Sequence, residues 1–167
     1  MTHNNEPRIY VSTYHKYNEG NLQGAWLTLT DYDTQEEFMQ ACRELHADEE
    51  CPELMYQDYT NFPEAWYDES TLTEETFDKI LEFAELDEDQ QEAVTEYLDE
   101  NDSHADIQNI IDLYCGQYSS LAEYAEETAE IPADMGRYAY YIDWEKYARD
   151  LEHDGYIITS SGHVFQY

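Results

Sequence analysis

The sequence predicts an α+β protein, with mixed sheet and helix units at both ends and helices between them. Three observations carry that expectation. Short runs rich in β-branched and aromatic residues stand at the beginning, in Arg8–Tyr14 and Ala25–Leu29, and again over the last thirteen residues, 155–167. Residues 72–128 instead repeat apolar positions at i, i+3, i+4 and i+7, the period of a helix with one buried face. Capping boxes, a hydroxyl side chain three residues before a glutamate, divide that region into separate helices.

In chain order, Arg8–Tyr14 is expected as a strand, Asn18–Gly24 as a turn and Ala25–Leu29 as the returning strand. Thr34 with Glu37 starts a helix whose buried face holds Phe38, Cys42 and Leu45. Glu53–Tyr59 is a third strand, completing a β-β-α-β unit that Pro63 ends. Thr71 and Glu74 form the next capping box, followed by the stripe Phe77, Ile80, Leu81 and Ala84. A helix around 88–100 buries Ala93, Val94, Tyr97 and Leu98, and one around 105–115 buries Ile107, Ile110, Ile111 and Tyr114. Ser120 and Glu123 start another, which runs to Thr128. Beyond Pro132 come Tyr138, Tyr140, Tyr141, Trp144 and Tyr147, and the chain closes in a hairpin that turns at Ser160-Ser161-Gly162.

Charge narrows the function. The 167 residues hold 40 Asp and Glu against 7 Lys and Arg, a net charge of −33. Phosphates attract cations and repel carboxylates, so binding of nucleic acid or of an anionic membrane is excluded as the main activity. A disordered acidic tail is excluded too, because the chain is 41% hydrophobic and 15% aromatic. No apolar run reaches membrane-span length, and MTHNNEPRIY has no signal-peptide pattern. Cys42, Cys51 and Cys115 form an odd, sparse set without C-x-x-C spacing, so no disulfide framework is expected and the compartment is read as cytoplasmic.

The acids are distributed unevenly. Between Lys79 and Arg137 lie 57 residues with 17 carboxylates and no lysine or arginine. Helices ordinarily intersperse cations at i, i+4, because like charges at that spacing repel. Omitting them over so long a segment points to carboxylates that imitate phosphates. The candidates are Glu74, Glu75, Asp78, Glu82, Glu85, Asp87, Glu88, Asp89, Glu92, Glu96, Asp99, Glu100, Glu123, Glu126, Glu127 and Glu130. At one charge per ~1.7 Å of duplex, 33 charges correspond to ~56 Å of DNA, about 16 base pairs, and a symmetric dimer to twice that.

Competing readings carry less. The histidines (His3, His15, His46, His104, His153, His163) are scattered, with no H-E-x-x-H and no nucleophile elbow, so no enzyme and no catalytic residue is expected. Asp87–Glu92 resembles the start of a calcium loop but lacks glycine at its sixth position, and Leu98 stands where the closing glutamate belongs; no metal or cofactor is expected. The aromatics are read as core and junction residues. Adaptation to a salty cytoplasm would spread the acids evenly. An unspecific acidic chaperone or buffer of basic DNA-binding proteins remains as the alternative.

Longer words carry a resemblance. Arg8-Ile-Tyr-Val-Ser-Thr-Tyr-His-Lys-Tyr-Asn-Glu-Gly-Asn-Leu-Gln-Gly-Ala-Trp-Leu is similar to the opening signature of the ArdA antirestriction family. Leu121-Ala-Glu-Tyr-Ala-Glu-Glu, Ile131-Pro, Tyr141-Ile-Asp-Trp-Glu-Lys-Tyr-Ala-Arg-Asp-Leu and the closing Gly162-His-Val-Phe agree with it. The resemblance implies a DNA mimic, carried by conjugative plasmids and transposons, that occupies the DNA-binding groove of type I restriction-modification enzymes. It implies an elongated chain of three small domains: 1–62 mixed α/β, 63–105 acidic and helical, and 106–167 α+β with a homodimer interface. The partners it implies are the methyltransferase core of that enzyme and a second copy of the chain.

Overall fold

The computed structural model describes residues 5–167. Strand β1 (Arg8–Thr13) is the middle of an antiparallel sheet, flanked by β2 (Ala25–Thr28) and β3 (Leu54–Thr60) in the order β2-β1-β3. Tyr10 faces Trp26 across the first pair, their rings edge to face at 5.6 Å. Gly24 is required where the chain enters β2, because a Cβ there would lie 2.4 Å from the Val11 carbonyl oxygen.

The expected first strand ends one residue early. Tyr14–Asn18 winds into the short helix α1, capped by Thr13, whose hydroxyl accepts from the Lys16 N–H. Lys16 is buried, and its ammonium donates to His46 Nδ1 and Asp48 Oδ1, both at 2.9 Å. Glu49 lies 3.6 Å away. A buried ammonium needs such partners, and the helical turn delivers it to them in place of continuing the strand. Helix α2 (Gln35–Leu45) starts at Thr34 as expected, with Thr34 Oγ1 accepting from the Glu37 N–H. The Glu37 carboxylate reaches the Asp33 N–H, one residue upstream of the usual box. Phe38 and Cys42 are fully buried, and burial pushes the Cys42 thiol up to about 12. Leu45, expected on the same face, lies in the last turn and is exposed.

Helix α3 (Glu74–Ala84) is capped by Thr73, not Thr71. Thr71 belongs to the preceding turn, where its N–H donates to Asp68 Oδ1 at 2.8 Å. Phe77, Ile80 and the unanticipated Phe83 are buried, while Leu81 and Ala84 are only half covered. Phe38 joins the two faces of the core, 6.4 Å from Tyr56 and 6.0 Å from Phe77.

In helix α4 (Glu88–Glu100), Ala93, Val94, Tyr97 and Leu98 are buried as expected. Helix α5 (Ile107–Leu113) stops before Tyr114, which the helical period had included. Tyr114–Gln117 forms β4 instead, pairing Tyr114 with Phe165 and Gly116 with Val164, so sheet pairing overrides the local period. Helix α6 (Leu121–Thr128) begins at the Ser120 cap. Residues Ala133–Tyr141 form 3-10 turns, and α7 (Trp144–His153), which the sequence reading did not resolve, starts at the Asp143 cap. Strands β5 (Tyr156–Ile158) and β6 (His163–Gln166) make the expected hairpin, and with β4 an antiparallel sheet in the order β4-β6-β5. Leu121, Ala122, Ala148 and Val164 form its core, with Tyr118, Tyr124, Trp144 and Tyr156 packed around them.

The fold is thus mixed α+β with two small antiparallel sheets. The chain divides into two compact units, Met1–Thr95 and Glu96–Tyr167, the division falling inside α4.

Candidate functional site

The candidate carboxylates stand on α3, α4, α6 and the turns after α3 and α6. Fourteen of the sixteen are exposed, Glu96 and Glu123 being half-buried. Their environments separate them into two groups.

The first group is tied to the fold. Glu75 accepts from Lys79 at 2.8 Å, one helical turn away, and this cation holds its carboxyl below the usual range. Asp87 Oδ1 accepts from the Gln90 N–H at 2.9 Å, at the start of α4. Glu88 accepts from the Asn5 amide. Glu123 accepts from the Ser119 N–H at 2.6 Å, one residue upstream of the usual capping box at the start of α6, and that bond lowers its pKa. Glu100 accepts from Ser160 and Glu96 from Ser161. Burial pushes the Glu96 carboxyl up, but hydrogen bonds from Ser161 and Thr159 outweigh it and leave the pKa lowered. Glu92 and Asp99 also interact within the chain.

The second group comprises Glu74, Asp78, Glu82, Glu85, Asp89, Glu126, Glu127 and Glu130. Their carboxylates are exposed and have no hydrogen-bond or ion-pair partner among the described residues. Cations do little to offset them. Lys16 is buried against Asp48 and Glu49, Arg43 pairs with Glu36 and Lys79 with Glu75. Arg8 lies over the Trp26 ring at 5.6 Å and Arg137 over Tyr138 at 4.8 Å.

The sequence reading missed structural acids with the same signature. Asp68, Asp106 and Asp143 each accept backbone N–H groups at a turn or helix start. Their signal was local: each precedes the bonded N–H by two or three residues. The tyrosines after Pro132, expected among core and junction residues, are largely open to solvent. Tyr140 is 91% exposed and Tyr141 80%, with Met135, Tyr138, Ile142 and Tyr147 also open. Among the described residues, no group of three or more His, Cys, Asp or Glu could hold a metal ion, and no helix is long and apolar enough to cross a membrane.

Well-capped helices that carry outward carboxylates, with five of the seven cations buried, paired or stacked on rings and Lys146 and Arg149 exposed on α7, define a polyanionic α+β protein. The chain belongs to the ArdA antirestriction protein family, whose model matches residues 9–165. No curated protein matches it.

Proposed function

We propose that this antirestriction protein is a DNA mimic that competes with DNA for the binding groove of type I restriction-modification enzymes. The observation that supports this most is the set of exposed, unpartnered carboxylates along a 57-residue stretch without lysine or arginine. On a helix, carboxylates at i, i+3 and i+4 stand ~5–6 Å apart at Cβ, close to the scale of successive phosphates. A groove built for duplex DNA presents lysine and arginine to such a row, and binding releases counterions much as DNA does. The protein inhibits by occupancy, without chemistry of its own. In the same reading the subunit is elongated, with segments 1–62, 63–105 and 106–167, and it pairs with a second copy through the last of them. The exposed tyrosines 138, 140, 141 and 147 support that pairing, since apolar side chains grouped in one segment favour burial against another surface.

A competition titration tests the proposal. The protein is added to a type I methyltransferase bound to a fluorescent target duplex, and in parallel to an unrelated basic DNA-binding protein. Stoichiometric displacement from the methyltransferase at far lower concentration than from the control is expected. Equal displacement from both would instead support an unspecific acidic buffer, and no displacement from either would refute both readings.

A further inference from the structure

Glu88, Glu92, Glu96 and Glu100 recur every fourth residue along α4, a row of like charges on one helix face. Repulsion at that spacing destabilises a helix, and no lysine or arginine lies nearby in sequence to relieve it. The last two members are met by neutral donors. The Ser160 N–H donates to both oxygens of Glu100, at 3.2 and 3.1 Å, and its hydroxyl donates to Oε1. The Ser161 N–H donates to Glu96 Oε2 at 3.2 Å, and its hydroxyl to Oε1. These donors sit on the turn between β5 and β6, which is itself fixed. Gly162 has φ +94°, and a Cβ there would lie 2.0 Å from the Tyr118 carbonyl oxygen. Its carbonyl accepts from the Tyr118 N–H at 2.8 Å, and the Gln117 amide donates to the Ser161 carbonyl at 3.0 Å.

We infer that the Ser160–Ser161 turn is a positioning element for inhibition: it holds Glu96 and Glu100 as structural carboxylates and fixes this end of α4, so that the acidic helix meets the target at constant spacing. This rests on the DNA-mimic reading. A lysine could also relieve the row, but it would set a positive charge on a surface that lysine and arginine must approach. Hydroxyl and amide donors stabilise the carboxylates and leave the net charge unchanged.

The test is the double variant Ser160→Ala/Ser161→Ala, which alters no charge. Inhibition of the type I methyltransferase should weaken about tenfold, the equivalent of one charge-assisted hydrogen bond. Ser160→Thr/Ser161→Thr, which retains both hydroxyls, should restore it. Glu96→Gln/Glu100→Gln, which weakens the same clasp from the helix side, should lose inhibition to a similar extent. Full inhibition by the alanine variant would overturn the proposal. So would full inhibition by the glutamine variant, because the clasp would then contribute nothing to inhibition. A second measurement does not depend on inhibition or on the double variant folding. In carboxyl-detected NMR titration, Glu96 should titrate below an ordinary glutamate, and move up in Ser161→Ala. An unchanged titration would overturn the clasp. If the parent protein fails to displace DNA, the DNA-mimic reading falls and the role in inhibition with it, while the titration still decides whether the turn holds the helix.

Discussion

Replacing Glu126, Glu127 and Glu130 together by glutamine removes three negative charges and no packing. All three are exposed and make no hydrogen bond or ion pair among the described residues, so nothing inside the chain depends on them. Exposed ion pairs contribute roughly 0.2–1 kcal/mol each, and three independent contacts sum to about 0.6–3 kcal/mol, or about 3- to 150-fold in affinity. Glu123 must stay, although it belongs to the same acidic word. Its carboxylate accepts from the Ser119 N–H at 2.6 Å, and losing it would mix damage to the fold with loss of a contact. The assay is displacement of a fluorescent duplex from a type I methyltransferase, with a melting curve taken on the same sample. The melting temperature should hold or rise slightly, because Glu127 stands four residues from Glu123 and their repulsion disappears. Unchanged displacement by a folded triple variant would remove this segment from the contact surface.

Three further outcomes are expected. Ser120→Ala removes the hydroxyl that accepts from the Glu123 N–H at 3.1 Å; about 1 kcal/mol should be lost and the melting temperature should fall by about 2–4 °C by scanning calorimetry, an unchanged melt showing the cap to be idle. If the proposed pairing holds, the parent should sediment as a dimer at micromolar concentration and Tyr140→Ser/Tyr141→Ser as a monomer; equal sedimentation of the two would refute an interface there. Glu96 has a folded pKa lowered from its ordinary value, so its contribution to stability is complete above about pH 4.3 and is lost as pH falls through the folded value. Glu96→Gln should therefore melt below the parent at pH 6, with the gap narrowing as the solution is acidified below the ordinary glutamate range; a gap that widens on acidification contradicts the assignment.

Most of the elements were legible because their signals are local. Thr34 and Ser120 cap the helices they were expected to cap, and the four apolar residues of α4 are buried as its period requires. The failures have a common cause in tertiary demand. Lys16 turns the end of β1 into helix because a buried ammonium must reach His46 and Asp48, 30 and 32 residues away. Tyr114 leaves its helical stripe to pair with Phe165. Thr71 and Thr73 were equally good caps by composition, and only Asp68 two residues before Ser70 decided that Thr71 would serve a turn. The acidic helices were legible, but the surroundings of their carboxylates were not. Spacing located the acidic helices, yet Glu96 and Glu126 look alike in sequence. Ser161, which separates their roles, lies 65 residues from Glu96.

That separation explains how a chain with 40 acids and 7 bases can fold without masking its own field. Beyond the ion pairs of Lys16, Arg43 and Lys79, compensation comes chiefly from hydrogen bonds and backbone dipoles. Acidic residues stand in the first turns of α2, α3, α4, α6 and α7, where the exposed N–H groups of a helix start carry partial positive charge. The last turns of α3, α4, α5 and α6 hold no basic residue. Threonine, serine and aspartate caps, together with the serine turn against α4, supply the remaining donors and acceptors. Lysine at those positions would stabilise the helices as well, but each would cancel one negative charge seen from outside. Neutral donors and backbone dipoles act within a few ångströms and leave the distant potential to the carboxylates. A protein selected only to remain soluble has no reason to avoid the cheaper lysine, whereas one that must look like a polyanion to a cationic groove does.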